Sequence, residues 1–232
     1  MVVDTSRMTC LAFYRRYWAA FGGLIFVVLA FVLGVTVESI PSLQRIMILL
    51  FMALLFHQFE EYIYPGGFAI ANNVGLFKNR QDPARYPLNE RSAVVVNVVL
   101  AYPLYVTGIF CYRCLWLDIF IAYFTMMQII VHCFKINGTL RVWYSPGCFS
   151  AVFVMLPLGV YAIVYIATHY SVPSGYWWWP IVAFPFVAFC MVLLPIILFR
   201  SRVSPFSFPD EQAKNFTVRH GIALPWHNRG NR

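Results

Sequence analysis

Six stretches of the chain are apolar for about twenty residues each, the length a helix needs to cross the hydrocarbon core of a bilayer. They run Trp18–Val37, Leu43–Tyr64, Ala93–Phe110, Leu115–Phe134, Phe149–Thr168 and Trp177–Phe199. The second is the least regular, because polar residues gather at its end. The third is short and contains Pro103. Pro157, Pro180, Pro185 and Pro195 sit in or beside the last two, where membrane helices tolerate proline better than soluble ones do. The first run is too long for a cleavable signal peptide, and no small-residue cleavage site follows it. The pattern predicts an all-α, polytopic transmembrane helical bundle of about six spans.

Charge orients the spans. Arg7, Arg15 and Arg16 precede the first; Lys78, Arg80, Arg85 and Arg91 lie between the second and third. Lys135 and Arg141 follow the fourth, and Arg200, Arg202, Lys214, Arg219, Arg229 and Arg232 fill the tail. Fifteen of the 17 Lys and Arg residues therefore fall on one side, against Arg45 and Arg113 on the other. By the positive-inside rule the rich side is cytoplasmic, and both termini with it. Residues 1–200 are expected to form the membrane domain and 201–232 a basic cytoplasmic tail. The expected location is the plasma or inner membrane.

Composition agrees with that class. Apolar residues make up 61% of the chain and charged residues 11%, against about 45–50% and roughly 25% in soluble domains. The 22 Phe, 14 Tyr and 7 Trp suit helices anchored at lipid interfaces, with Trp177-Trp178-Trp179 as an aromatic belt. The net charge of +8 resides in one set of loops and the tail, so it points to topology and lipid headgroups rather than nucleic acid. Cys111 and Cys114 form a CxxC on the outer side, where a disulfide or metal is conceivable but no second CxxC completes a zinc site. Cys10, Cys133, Cys148 and Cys190 read as ordinary buried thiols. The glycosylation-like triplets at Asn137 and Asn215 face the cytoplasm and carry no meaning there. No internal repeat is evident, which weakens an inverted-repeat transporter.

Ionisable residues within spans are costly, so each is a functional hypothesis. The densest group is His57-Gln58-Phe59-Glu60-Glu61, at the cytoplasmic end of the second span. His57, Glu60 and Glu61 stand at i, i+3 and i+4 and share a helix face. The fourth span runs the same way and ends Gln128-Ile-Ile-Val-His132, which puts His132 at the depth of His57. Asn97 enters from the third span one to two turns below the same side. The loops there carry Pro65-Gly-Gly-Phe68, Asn72, Asn73 and then Arg141-Val-Trp-Tyr144-Ser-Pro146-Gly147. Their helix breakers and directional side chains suit a cap on the site, with a short re-entrant piece.

The run His57-Gln-Phe-Glu60-Glu61-Tyr-Ile-Tyr-Pro65-Gly-Gly-Phe68 resembles the signature of the HXXEE family of small multi-spanning membrane proteins. His132 and the Arg141…Tyr144-x-Pro146-Gly147 segment are similar to that family's second polar block. The resemblance covers roughly residues 51–161. The family is a domain of unknown function, so the likeness implies a shared polar site without naming a reaction.

Three functional readings fit these residues. The leading one is a metal-dependent membrane enzyme, with zinc or another divalent metal on His57, Glu61 and His132 and with Glu60 as general base. The pattern is similar to the H-x-x-E-H zinc motif, with Glu61 in place of the second His. Metal-assisted hydrolysis or related chemistry on a lipid-like or amphiphilic substrate follows. Asn97, Gln128, Asn72, Asn73, Arg141 and Tyr144 are the candidates for binding substrate or supporting the ligands. The second reading is a metal-free acid–base isomerase or cyclase of an isoprenoid or lipid, with a proton shared by Glu60 and Glu61. The third is a proton-coupled transporter, against which the outer half of the bundle lacks a polar lining. A purely structural hydrogen-bond network is the plain alternative to all three.

Overall fold

The computed structural model describes residues 9–221, and Arg7, His227, Arg229 and Arg232 lie outside them. Helix α1 (Cys10–Thr36) starts at an N-cap in which Thr9 Oγ1 accepts from Ala12 N at 3.2 Å. Helix α2 (Ser42–Tyr62) and a short helix α3 (Phe68–Gly75) follow, then α4 (Glu90–Phe110), α5 (Leu115–Leu140), α6 (Cys148–His169), α7 (Gly175–Phe199) and α8 (Asp210–His220). All but α3 and α8 are long and apolar enough to cross a membrane. The expected six-span helical bundle is borne out, with no strand among the described residues.

Helix α2 is the axis of the bundle and packs against α1, α4, α5 and α6. Its most apolar stretch is 67% buried, against 11% for α1 and 17% for α7. It is also the least hydropathic span, whereas α7 and α1 are the most. The inverse relation has a physical cause: lipid-facing surface must be apolar, and polar groups are admitted only where other helices can satisfy them. Leu50, Leu55, Met47 and Tyr105 form the fully buried middle of the core.

Two spans outrun their expected ends. Helix α1 begins at Cys10 rather than Trp18, because Arg15 and Arg16 fold onto partners instead of ending it. Arg16 Nη1 lies 2.6 Å from Glu90 Oε1, and the Arg15 guanidinium stacks over Phe206. Helix α5 continues to Leu140 rather than Phe134.

Four spans contain a π-helical stretch: Val95–Ala101, Ile130–Ile136, Ala151–Met155 and Phe189–Leu193. Three of them end two residues before Pro103, Pro157 or Pro195. A proline lacks the N–H and crowds the carbonyl four residues back; a widened turn there relieves both. The stretch Ile130–Ile136 has no proline after it, and it carries His132.

The tail is not free of the bundle. Phe208, Ala213 and Phe216 are buried, and α8 packs on α3, where Gln212 Nε2 donates to the Tyr62 carbonyl at 3.1 Å. Arg219 reaches the carbonyls of Gly66 and Pro65 at 3.3 and 3.4 Å. The chain reverses into α3 at Gly66 and Gly67, both with left-handed φ of +68° and +96°, a region glycine enters without strain.

Candidate metal and acid–base site

Because α2 and α5 are separated by one span, they run in the same direction, and their polar ends meet. Glu61 Oε1 lies 3.5 Å from His57 Nε2 and 3.3 Å from His132 Nε2. The two imidazoles stand edge to face, with centroids 4.7 Å apart. One ligand-type atom from each of the three residues falls within 4.8 Å of the others, and all three side chains are buried.

Proton positions follow from the hydrogen-bond network. Glu60 accepts from Tyr144 OH at 2.8 Å, Phe149 N at 3.1 Å, Ser150 N at 2.7 Å and Ser150 Oγ at 2.5 Å. Four donors fill the acceptor capacity of a carboxylate. Ser150 has one hydroxyl proton, and its acceptors are Glu60 Oε2 and, at 3.2 Å, the Gly147 carbonyl. At the 2.7 Å contact between Ser150 Oγ and His57 Nδ1, the imidazole is therefore the donor. His132 Nδ1 faces the Pro146 carbonyl at 2.9 Å, which can only accept. Both rings are thus assigned a proton on Nδ1, and each turns its Nε2 toward Glu61. Burial, the hydrogen bond to Glu60 and the charge of Glu60 together raise the Tyr144 hydroxyl above its ordinary range, which keeps it a donor.

Atoms of this kind facing one another are held together by a shared proton or by a metal cation between them. The fit to a metal can be judged by length. Charge-assisted N–H···O bonds are about 2.7–2.9 Å, shorter than both contacts here. A tetrahedral ion with bonds of about 2.0–2.1 Å sets its ligands about 3.3 Å apart, close to the 3.5 and 3.3 Å between Glu61 Oε1 and the two Nε2 atoms. A metal could sit there with two imidazoles and a carboxylate as ligands and with a position to spare.

The remaining candidates divide. Tyr144 joins the site through Glu60. Gln128 is half-buried one turn before His132, and Arg141 is exposed in a left-handed conformation with φ +55°. Asn97 lies away from the cluster: Gln58 Nε2 donates to its Oδ1 at 3.1 Å, and Tyr102 OH donates to Gln58 Oε1 at 2.9 Å. Gln58 is one residue past His57, about 100° round the helix. Asn72 is buried within α3. Asn73 is a staple for the following loop, donating to the Pro83 and Leu88 carbonyls at 2.8 Å each and accepting from Leu88 N at 3.0 Å. Phe68, also in α3, lays its ring 5.1 Å from that of His132.

Ser150 was not expected at the site, and Gly147 was expected only as part of the capping loop. A Cβ on Gly147 would run into the His132 ring, so only glycine lets that imidazole close on the 141–147 turn. Cys133 and Cys148 are half-buried rather than buried, and their sulfurs touch at 2.9 Å. Cys10 is exposed. Cys111 and Cys114 shape the tight turn between α4 and α5, with Cys114 N donating to the Cys111 carbonyl at 2.7 Å. Asp118, at the opposite end of the bundle, is fully buried with neither oxygen hydrogen-bonded.

The chain is thus a multi-pass membrane protein whose helices enclose a buried His/Glu cluster. Residues 48–162 match the family described as a protein of unknown function with HXXEE motif, and over those residues the chain belongs to it. The motif is His57-Gln58-Phe59-Glu60-Glu61, as the resemblance implied. No curated protein and no solved structure gives a match.

Proposed function

We propose that the protein is a membrane-embedded enzyme using one divalent metal, of the zinc class, held by His57, Glu61 and His132. The convergence of the His57 and His132 Nε2 atoms on Glu61 Oε1, at 3.5 and 3.3 Å, carries this reading. Such a metal would supply an activated water and polarise a carbonyl or phosphoryl oxygen, which is the chemistry of hydrolysis. The substrate class is lipid-like or amphiphilic, because the ligands lie near the ends of membrane spans. On the charge distribution the site lies toward the cytoplasmic side of the bundle.

In this reading the work of the first motif glutamate shifts. Glu60 has its lone pairs filled by four donors, so we assign it the positioning of the ligand shell rather than the base role its place in the motif suggested. It fixes Ser150, which fixes His57, a supporting arrangement of the kind that orients metal-bound imidazoles. The base-type proton transfer would fall to Glu61.

Elemental analysis of protein purified without added metal, followed by His57→Ala and His132→Ala, tests the proposal. About one equivalent of metal is expected in the parent and its loss in both variants. Metal-free parent protein that is inactivated by Glu61→Gln would move the assignment to acid–base chemistry. Glu60→Gln separates the roles of that residue: positioning predicts weaker metal binding, whereas a base predicts full metal and turnover lowered by about 10²–10⁴-fold.

A further inference from the structure

We infer that Cys133 and Cys148 are a thiol pair that closes reversibly to a disulfide between α5 and α6, a redox modification site at the edge of the His/Glu cluster. Their sulfurs lie 2.9 Å apart although the residues are 15 positions apart in the chain. The approach is imposed by the site itself. Cys133 follows His132, whose Nδ1 is bonded to the Pro146 carbonyl. Cys148 follows Gly147, against which the His132 ring is packed. Asn137 closes the loop from within, with Nδ2 donating to the Trp143 carbonyl at 3.0 Å and to Cys148 Sγ at 3.5 Å.

Bonding requires the sulfurs to approach by less than about 1 Å. Both thiols are half-buried, so a small oxidant has access. The oxidant class is a low-molecular-weight disulfide. One cysteine, as thiolate, attacks it, forming a mixed disulfide and expelling one thiolate of the oxidant. The second cysteine attacks the protein-side sulfur, forming the Cys133–Cys148 bond and expelling the other half. Two protein thiols are oxidised, the oxidant is reduced to two thiols, and the two cysteine protons end on those leaving groups.

The bond would fasten the 141–147 turn to α5. That turn supplies Tyr144 to Glu60 and the Pro146 carbonyl to His132. His57, Glu61 and His132 are each no more than 5% exposed, so a substrate reaches them only if a neighbouring segment moves. The disulfide removes one such movement and holds the site shut. This consequence rests on the proposed function; the thiol pairing does not.

The test uses full-length protein in detergent carrying Cys111→Ser and Cys114→Ser, so that the other close pair is absent. Oxidised glutathione is added, free thiols are blocked with N-ethylmaleimide, and the digest is mapped by mass spectrometry. A peptide pair joined through Cys133 and Cys148, released by dithiothreitol and absent from Cys148→Ser and Cys133→Ser, is the expected result. Recovery of both cysteines as maleimide adducts, or each as a separate glutathione adduct, overturns the pairing. Either variant serves as control if it remains monodisperse. Metal release to a chelator, followed in parallel, should be slower from the oxidised form. A crosslink in protein with no metal in either form would uphold the pair and sink the metal reading alone, while equal release from both metal-bound forms would overturn the closed-site consequence.

Discussion

A hydroxyl has one proton to give, and at Ser150 its destination decides which nitrogen of His57 faces the cluster. Ser150→Ala removes the acceptor for His57 Nδ1 and one of the four donors to Glu60 while changing volume little. The ring then loses its tautomer preference and its orientation. Metal affinity should fall by about 10–100-fold, the usual cost of losing such a supporting contact. A metal titration of folded protein checks this, and unchanged affinity would show that the serine is a bystander. Gly147→Ala acts by sterics instead: the new methyl meets the His132 ring on a backbone with φ +94°. A loss of about 1–3 kcal/mol from overpacking is expected, read as a lower melting temperature in detergent, together with weakened metal binding. The cluster residues on α2 and α5 were legible in the sequence because the i, i+3, i+4 spacing and the parallel spans place them by geometry alone. Ser150 was not, since a serine opening an apolar run looks like any other. Its role arises only when the turn from a span 90 residues away in sequence is folded onto Glu60.

Uninterrupted apolar length is why the six spans could be read, with two of them longer than the apolar runs, and it also explains what was hidden. A π-turn leaves no mark in a uniformly apolar run, and only the prolines after three of the four stretches hint at them. Helix α8 reads as a charged tail because its burial depends on two residues, Ala213 and Phe216, meeting Ile70, Ala71 and Val74 of α3. Asn73 presents the opposite case. Its type and position suggested a site residue, yet its side chain is consumed by the backbone of residues 83–88. Asn73→Ala should leave three buried backbone groups without partners, at a cost of about 2–4 kcal/mol if each is worth roughly 1 kcal/mol. Because the Asn73 side chain is spent on the loop joining α3 to α4, the variant should melt earlier while still binding metal in the cold. Loss of metal at full thermal stability would mean that Asn73 belongs to the site after all.

At the scale of the whole molecule, two gradients organise the bundle: hydropathy falls from the lipid-facing spans to the central α2, and positive charge collects at the end where the His/Glu cluster lies. Arg15, Arg16, Lys78, Arg80, Arg85, Arg91, Lys135, Arg141, Arg200, Arg202, Lys214 and Arg219 all belong to that end. Basic residues resist translocation, so that end should face the cytoplasm. Single cysteines test it without disturbing the core, because Glu38 and Ser174 are exposed on the turns at one end and Arg80 and Trp143 on the loops at the other. In a background with Cys10, Cys111 and Cys114 replaced by serine, a membrane-impermeant maleimide added to intact cells should label Glu38→Cys and Ser174→Cys. Arg80→Cys and Trp143→Cys should react only after the cells are opened. Cys133, Cys148 and Cys190 remain in all four proteins and set the background. The reverse labelling would put the cluster on the outer face, and a substrate presented from the cytoplasm could then not be the one it meets.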